Sequence, residues 1–318
     1  MTTFDPAQPR PDTPLAERTQ DLVGREVVVP GSTSNLGPGF DALGLALDIY
    51  LHVRIVDAAD DGAGRVHFTF DGLTLAGENS IERALRGVAA RRGKALPSLD
   101  IVVRSDIPLK AGLGSSAAAI VAGIRLFETI AGPLMQDEVL ALAAEFEGHP
   151  DNTSASILGG LVASCQTDAG VIAIATHWPE DVRVLVATPD LALETKVARA
   201  ALPTMLGRAD AVFNLQRTAV LLQAINAGRY DALREALRDR LHQPYRAALV
   251  PGLEQALAFE HPALLGVFLS GAGPSIAALT LGDAPAVVDR FERLYRDELH
   301  LPCTVRTLHV HQPDRNRP

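Results

Sequence analysis

The chain has 318 residues, 47% hydrophobic and 21% charged, the composition of a globular protein with material for two domains or one large one. Its 29 basic against 38 acidic residues leave a net charge of −9, which excludes a protein that coats nucleic acid with a basic face but not a small basic pocket. Cys165 and Cys303 show no CxxC spacing, so neither a disulfide framework nor a zinc site is expected, and a reducing cytoplasm is.

Residues 1–23 carry four prolines within the first 14 and no apolar run of a secretory signal, and read as a loose extension. Arg25 to Pro30 (REVVVP) predicts a short strand, followed by GSTSNLGPGFDALG (31–44), dense in turn formers. From Leu45 to Val56 the chain alternates: Leu47, Ile49, Leu51, Val53 and Ile55 share one face, while Asp48, His52 and Arg54 share the other with Tyr50. That is the pattern of a half-buried strand. RVHFTF (65–70) and DIVVRS (100–105) predict two more strands around a helix over 81–93. KAGLGSSAAAIVAGIRLFETIAG is a glycine-rich loop entering an alanine-rich helix that stops near Gly132-Pro133, and Gln136 to Glu147 predicts a second helix. LGGLVASCQ and VIAIA read as a hairpin.

VRVLVATP (182–189) predicts the first strand of the second half, and a long helical region follows over 207–249, broken near Gly228 and Pro244. The uncharged stretch Pro262 to Gly282 is long enough for a membrane span, but its SGAGPS centre argues for strand, turn and strand. A helix over 285–299 and the strand CTVRTLHV close the chain. Strands and helices alternate with frequent hairpin-like neighbours, which predicts an α+β fold. A boundary in the region 166–182 divides a domain over 24–175 from one over 176–318.

Pro108-Leu109-Lys110-Ala111-Gly112-Leu113-Gly114-Ser115-Ser116 is the strongest local signal. Glycines let a backbone turn present its N–H groups, and the following helix aims its positive end at the same point, which suits a polyphosphate. An ordinary serine-capped helix start uses the same residues. The loop is neither a Walker A motif nor GxGxxG. Glu145-Phe146-Glu147-Gly148-His149-Pro150-Asp151-Asn152 brings carboxylates, an imidazole and an amide to a helix end. A carboxylate beside a phosphate loop suits Mg²⁺, which takes one or two oxygens from protein; the alternative is a solvated terminus capped by Gly148. Asn35 and Asp41 in the first turn-rich loop suit the amine or hydroxyl of a small polar ligand, or plain Asx turns. Arg199 and Arg246 each follow an element end, where a guanidinium fork suits a carboxylate. His309 and His311 alternate on the last strand and are read as a solvent-facing pair rather than a metal site.

PGSTSNLGPGFDALG, IPLKAGLGSSAAA and FLSGAGPS, in that order, resemble the three signatures of the superfamily of galactokinase, homoserine kinase, mevalonate kinase and phosphomevalonate kinase. SNLGPGFDALG, EGHPDN followed by LGGLV, TKVARAALP and DRLHQPYRAALVPG make the chain most similar to its homoserine kinase branch, from about residue 24 onward. The resemblance implies an N-terminal domain with a left-handed βαβ unit, a C-terminal ferredoxin-like domain and a site between them. It implies ATP- and Mg²⁺-dependent phosphorylation of the L-homoserine hydroxyl in threonine biosynthesis. Pro108, Lys110, Ala111, Gly112, Leu113, Gly114, Ser115 and Ser116 would then hold the nucleotide, with Ser116 and Glu147 (Glu145 as runner-up) on the metal. Asn35, Asp41, His149 and Asn152 would hold the polar groups of the amino acid, and Arg199 and Arg246 its carboxylate. Thr195 would lie near the transferred phosphate and Gly273 would close the substrate loop.

In mevalonate-kinase-like relatives an aspartate base matches Asn152, and an amide cannot accept that proton, so the resemblance implies catalysis without a dedicated base; Asp151 ranks well below as a substitute. Thr153-Ser154-Ala155-Ser156 departs from the Val-Ala-Pro usual at this point. The other readings are a superfamily kinase for a different small alcohol, or a non-catalytic metabolite binder, which would predict a decayed phosphate loop. The expected partners are the small-molecule substrate and a second copy of the chain in a homodimer, with neither nucleic acid nor a membrane.

Overall fold

The computed structural model describes residues 19–72 and 78–313, and the structural statements below concern those residues. Most of the predicted extension therefore lies outside the described residues. Its last part belongs to the fold, because Leu22 is buried in the main core.

The first half builds one sheet. Strands β1 (Glu26–Ser34) and β2 (Leu43–Ala59) pair antiparallel, with an irregularity at Pro30/Gly31. Strand β1 runs four residues beyond the predicted Pro30, so Gly31 to Ser34 lie in a strand rather than in the turn-rich loop. Strand β3 (Val66–Phe70), helix α1 (Ser80–Arg91) and strand β4 (Ser98–Ser105) form a crossover unit in which β3 lies parallel to β4. Helix α2 (Ser115–Ala131) ends at Gly132, and helix α3 (Gln136–Glu147) follows as expected. The short helix α4 (Asp151–Leu158) leads into the hairpin β5 (Leu161–Thr167) and β6 (Gly170–Thr176). The strand order is β3-β4-β2-β5-β6, with β1 also on β2.

Strand β2 is half-buried only in its second part. Leu43 to Leu47 are buried on both faces, because α4 lies directly on the strand: a Cβ on Gly44 would stand 2.1 Å from the Asp151 carbonyl oxygen. Helix and strand can approach that closely only where a residue without a side chain lies between them.

The second half builds a separate sheet. Strand β7 (Val182–Pro189) is followed by helices α5 (Thr195–Ala200) and α6 (Arg208–Asn226). The region 207–249 breaks after Asn226, as expected near Gly228, but beyond the break it holds only the short helices α7 (Leu233–Ala236) and α8 (Gln243–Arg246), and a further short helix α9 (Leu253–Leu257) follows it. Strands β8 (Leu264–Leu269) and β9 (Ile276–Leu281) form the predicted strand–turn–strand. No described helix is long and apolar enough to cross a membrane. Helix α10 (Pro285–Arg293) and strand β10 (Cys303–Leu308) complete an antiparallel sheet of order β10-β7-β9-β8. A β-α-β-β-α-β chain in this strand order is the ferredoxin-like arrangement.

Two large buried clusters result, beside a small third one of Ala46, Ala155 and Val162 under α4. The larger spans the first sheet and its helices and reaches Val184, Val186 and Phe268 of the second; the smaller packs α9 and α10 on the other face of the second sheet. The three glycine-containing loops meet where the sheets join.

Candidate active site

Three chain turns are laced together at this junction. Ser270 donates its hydroxyl hydrogen to the Gly112 carbonyl at 2.7 Å, Ser275 N–H donates to the Ala111 carbonyl at 3.2 Å, and Ser32 N–H donates to the Leu113 carbonyl at 3.1 Å. Asn35 Nδ2 donates to the Gly271 carbonyl at 3.0 Å. Gly112 and Gly114 have φ of 77° and 70°, and a Cβ on either would stand 2.3 Å from Ser270 O or Ser32 Oγ respectively. Only glycine fits both the left-handed backbone and the contact.

The cleft beside this lacing has a volume of about 220 Å³. Lys110, Gly112, Gly114, Ser115 and Ser116 line one end. Gly114 ends the loop and α2 begins at Ser115, so the unpaired N–H groups of the first helical turn open there. Of the other loop residues, Ala111 and Leu113 send their side chains into the protein interior, and Pro108 does not line the cleft. Any part they play in binding goes through the backbone. Lys110 Nζ pairs at 2.9 Å with Glu194, just before α5.

Ser116 donates from Oγ to Glu147 Oε2 at 2.8 Å. Burial pushes the Glu147 carboxyl above its ordinary range, partly offset by the Ser116 bond and by His149. Two oxygens already in contact, one on a carboxylate that lacks a full counter-charge, fit a small hard cation. Glu145, the runner-up, points away from the cleft and pairs with Arg91 on the surface. Helix periodicity accounts for the difference: residues two apart on α3 face opposite ways.

The other end of the cleft holds charge of both signs. Arg199, on α5, forks onto Asp41 with bonds of 2.9 and 2.7 Å. Arg246, on α8, is buried. It donates from Nε to the Ala198 carbonyl at 3.2 Å and from Nη1 to the Gly271 carbonyl at 3.0 Å and to His242 Nδ1 at 3.3 Å. Burial and the neighbouring Arg199 lower its pKa to about 10. Both guanidinium groups lie over Phe40, with ring centroids at 5.5 and 5.3 Å.

At the α3–α4 corner, His149 Nδ1 and Asp151 Oδ1 are 2.6 Å apart. Burial alone disfavours either charge, but the pair overrides it: His149 is raised and Asp151 is lowered, Asp151 also accepting from Asn152 N–H at 2.7 Å. Asn152 is held on both sides, its Oδ1 accepting from Ser32 at 2.9 Å and its Nδ2 donating to Ser34 at 2.9 Å. Asp41, His149 and Asp151 each bring a ligand atom within 4.8 Å of the others. Asp41 is nonetheless occupied by Arg199, and Asp151 by His149. Thr195 opens α5 at the mouth of the cleft, and Gly271, Ala272 and Gly273 close one wall.

Every expected site residue except Pro108, Ala111 and Leu113 therefore lines one cavity. Sequence reading missed the residues behind Arg246. Asp239, with its side chain fully buried, accepts from the N–H groups of Leu241, His242 and Gln243 at 2.9, 3.0 and 2.7 Å and from Asn214 Nδ2 at 2.6 Å. An aspartate four residues before a short helix is the available signal for such a cap. His309 and His311 engage Asp48 and Tyr50 separately, at 3.3 and 3.2 Å.

Residues 79–160 match the family described as GHMP kinases N terminal domain, and residues 221–297 match GHMP kinases C terminal. A homoserine kinase of Solibacter usitatus is 39% identical over 292 residues, covering 90% of this chain and 94% of its own. One from Thermus thermophilus is 42% identical over 278 residues, covering 84% of this chain and 91% of its own. The crystal structure of homoserine kinase from Cytophaga hutchinsonii superposes with a TM-score of 0.77 at 24% identity, covering 91% of this chain and 95% of that one, and shares the fold. By sequence along most of its length, and with that fold, the chain belongs to the homoserine kinases of the GHMP kinase family.

Proposed function

We propose that this chain transfers the terminal phosphoryl group of ATP to the side-chain hydroxyl of L-homoserine, giving O-phospho-L-homoserine. The observation that carries the reading is the Asp41–Arg199 pair beside Arg246, at the far end of one cleft from the glycine loop. A zwitterionic amino acid satisfies that end, its ammonium taking Asp41 and its carboxylate taking Arg199 and Arg246. The pair is a third exposed, so exchanging it for two new pairs involves little desolvation.

The loop amides of Gly112 to Ser116 and the start of α2 are suited to the triphosphate oxygens, and Lys110 can leave Glu194 for them. Ser116 and Glu147 would hold Mg²⁺, which when bound neutralises charge on the phosphates. Asn35 and His149 support the polar groups of the amino acid, Gly273 lets the substrate loop close in, and Thr195 faces the reacting centre. Asn152 cannot take a proton, and Asp151 is already the partner of His149 and of a backbone N–H. The residues therefore orient the hydroxyl rather than ionise it, which phosphoryl transfer tolerates because its loose transition state depends on positioning and charge neutralisation.

The test is a coupled ADP-release assay with ATP and Mg²⁺ over homoserine, serine, threonine and mevalonate. Turnover with homoserine exceeding the other three supports the reading, and a higher kcat/KM for mevalonate or no turnover at all refutes it.

A further inference from the structure

Arg246 has five N–H groups. Three are bound within the protein, by Ala198 O, Gly271 O and His242 Nδ1, which leaves Nη2 without a hydrogen bond among the described residues. The direction of that free edge is set by the acceptors on the other two nitrogens, and His242 is the only side chain among them.

His242 is itself fully buried and has its protons assigned by its surroundings. Its Nε2 lies 2.7 Å from the Gly37 carbonyl oxygen, which can only accept, so Nε2 carries the hydrogen. Its Nδ1 faces the Arg246 Nη1 hydrogen and must offer its lone pair. The imidazole is neutral in one tautomer. Burial favours that state and Arg246 reinforces it, against the pull of Asp239, whose Oδ2 lies 3.6 Å from Nε2. The Asp239 cap fixes the backbone of this turn, and the ring lies against Phe40 at 5.3 Å between centroids.

We infer that His242 is a positioning residue: as a neutral acceptor on Arg246, braced on the Gly37 carbonyl, it aims the free edge of that guanidinium at the substrate carboxylate. The inference deepens the proposed reaction and rests on it for the identity of the carboxylate. It does not rest on it for the contact between His242 and Arg246.

Two isosteric variants separate the two ring nitrogens. In His242→Gln the side-chain Nε2 can still donate to Gly37 O, but no acceptor stands where Nδ1 faced Arg246. In His242→Asn the Oδ1 stands where Nδ1 stood and accepts from Arg246, while the bond to Gly37 is lost. The expected result for His242→Gln is a KM for homoserine raised about tenfold, the loss typical when a charged donor loses its acceptor, with kcat and the KM for ATP within about twofold. His242→Asn restores the KM for homoserine to within about threefold. For 3-aminopropan-1-ol, which is homoserine without its carboxylate, His242→Gln and wild type have equal KM. The inference is overturned if both variants raise KM alike, if the amino alcohol suffers as much as homoserine, or if kcat and both KM values shift together. A ¹⁵N spectrum of the Arg246 Nη–H groups reads the contact without substrate: the Nη1 resonance shifts or broadens in His242→Gln and keeps its place in His242→Asn. A wild type inactive on homoserine defeats the proposed reaction, whereas an Arg246 resonance indifferent to His242→Gln defeats this inference.

Discussion

Glu147 and Glu145 lie two positions apart and have opposite surroundings. Glu145 is exposed against Arg91, whereas Glu147 touches Ser116 in the cleft. Glu147→Gln should lower kcat on the order of a hundredfold, because the cation it would hold supplies several kcal/mol of charge stabilisation. Glu145→Gln should leave kcat unchanged and alter stability by no more than about 1 kcal/mol, the ceiling for an exposed pair; steady-state assays on both variants decide the assignment. The raised pKa of Glu147 carries a sign. Its folded-state value lies above its ordinary 4.5, so the stability linked to it is full below pH 4.5 and declines as pH rises through the raised value. Cation binding takes the ionised form, so apparent Mg²⁺ affinity should strengthen with pH across that interval in wild type and stay flat in Glu147→Gln, as titration calorimetry at two pH values would read. At this scale the sequence displayed the right residue types but not their directions. The family resemblance ranked Glu147 ahead of Glu145, but the physical difference between them came only with the rotation of α3, and Asp239 emerged only once its cap was seen.

At the scale of elements, the loop before α2 owes its shape to packing against the 270–275 turn. Gly112→Ala puts a methyl group into the Ser270 carbonyl, and a cost of about 1–3 kcal/mol is expected from overpacking. Nucleotide binding should weaken with it, since the amide-bearing turn must move; denaturant midpoints and ATP titrations would read both. The α3–α4 corner makes a second prediction. His149 is raised from 6.5 and Asp151 lowered from 3.8. The stability linked to His149 is present below pH 6.5 and lost as pH rises through its folded value, and that linked to Asp151 is present above pH 3.8 and lost as pH falls through its own. Urea midpoints of wild type should decline on the alkaline side, and Asp151→Asn should remove that decline. The glycine loop and its helix were legible because turn formers and apolar periodicity coincide there. Helix α4 was not, because all of Asp151 to Ser156 except Ala155 are polar yet buried: Ser156 bonds to Ser32 Oγ at 3.4 Å and Thr153 to the Pro150 carbonyl at 3.1 Å. Within the Thr-Ser-Ala-Ser sequence these bonds serve Thr153 and Ser156, whereas the buried Ser154 hydroxyl has no partner among the described residues.

Across the whole molecule, residues from six separated segments meet at one junction between two sheets, and the cleft has opposite chemistry at its two ends. The amide end is placed by the first half of the chain, and the guanidinium end by α5 and α8 of the second. Arg246→Leu should therefore raise the KM for the amino acid by at least about tenfold while leaving the KM for ATP nearly unchanged, which two-substrate kinetics would show. The alternation of strands and helices predicted the α+β class, and the ferredoxin-like second sheet was an expectation of the family resemblance. The break at Gly228 was legible in 207–249, but the shortness of the helices after it was not, since the turns of this region are held by buried polar contacts such as Asn214 to Pro38 at 3.1 Å rather than by a change in apolar period.

The central claim is that one cleft holds a triphosphate and a zwitterion end to end. A crystal structure with Mg²⁺, a non-hydrolysable ATP analogue and L-homoserine tests it directly. The account predicts phosphates over Gly112 to Ser116, the carboxylate on Arg199 and Arg246, the ammonium on Asp41, and the hydroxyl facing the terminal phosphate. Phosphates bound away from that loop, or a homoserine carboxylate turned away from both arginines, would contradict it.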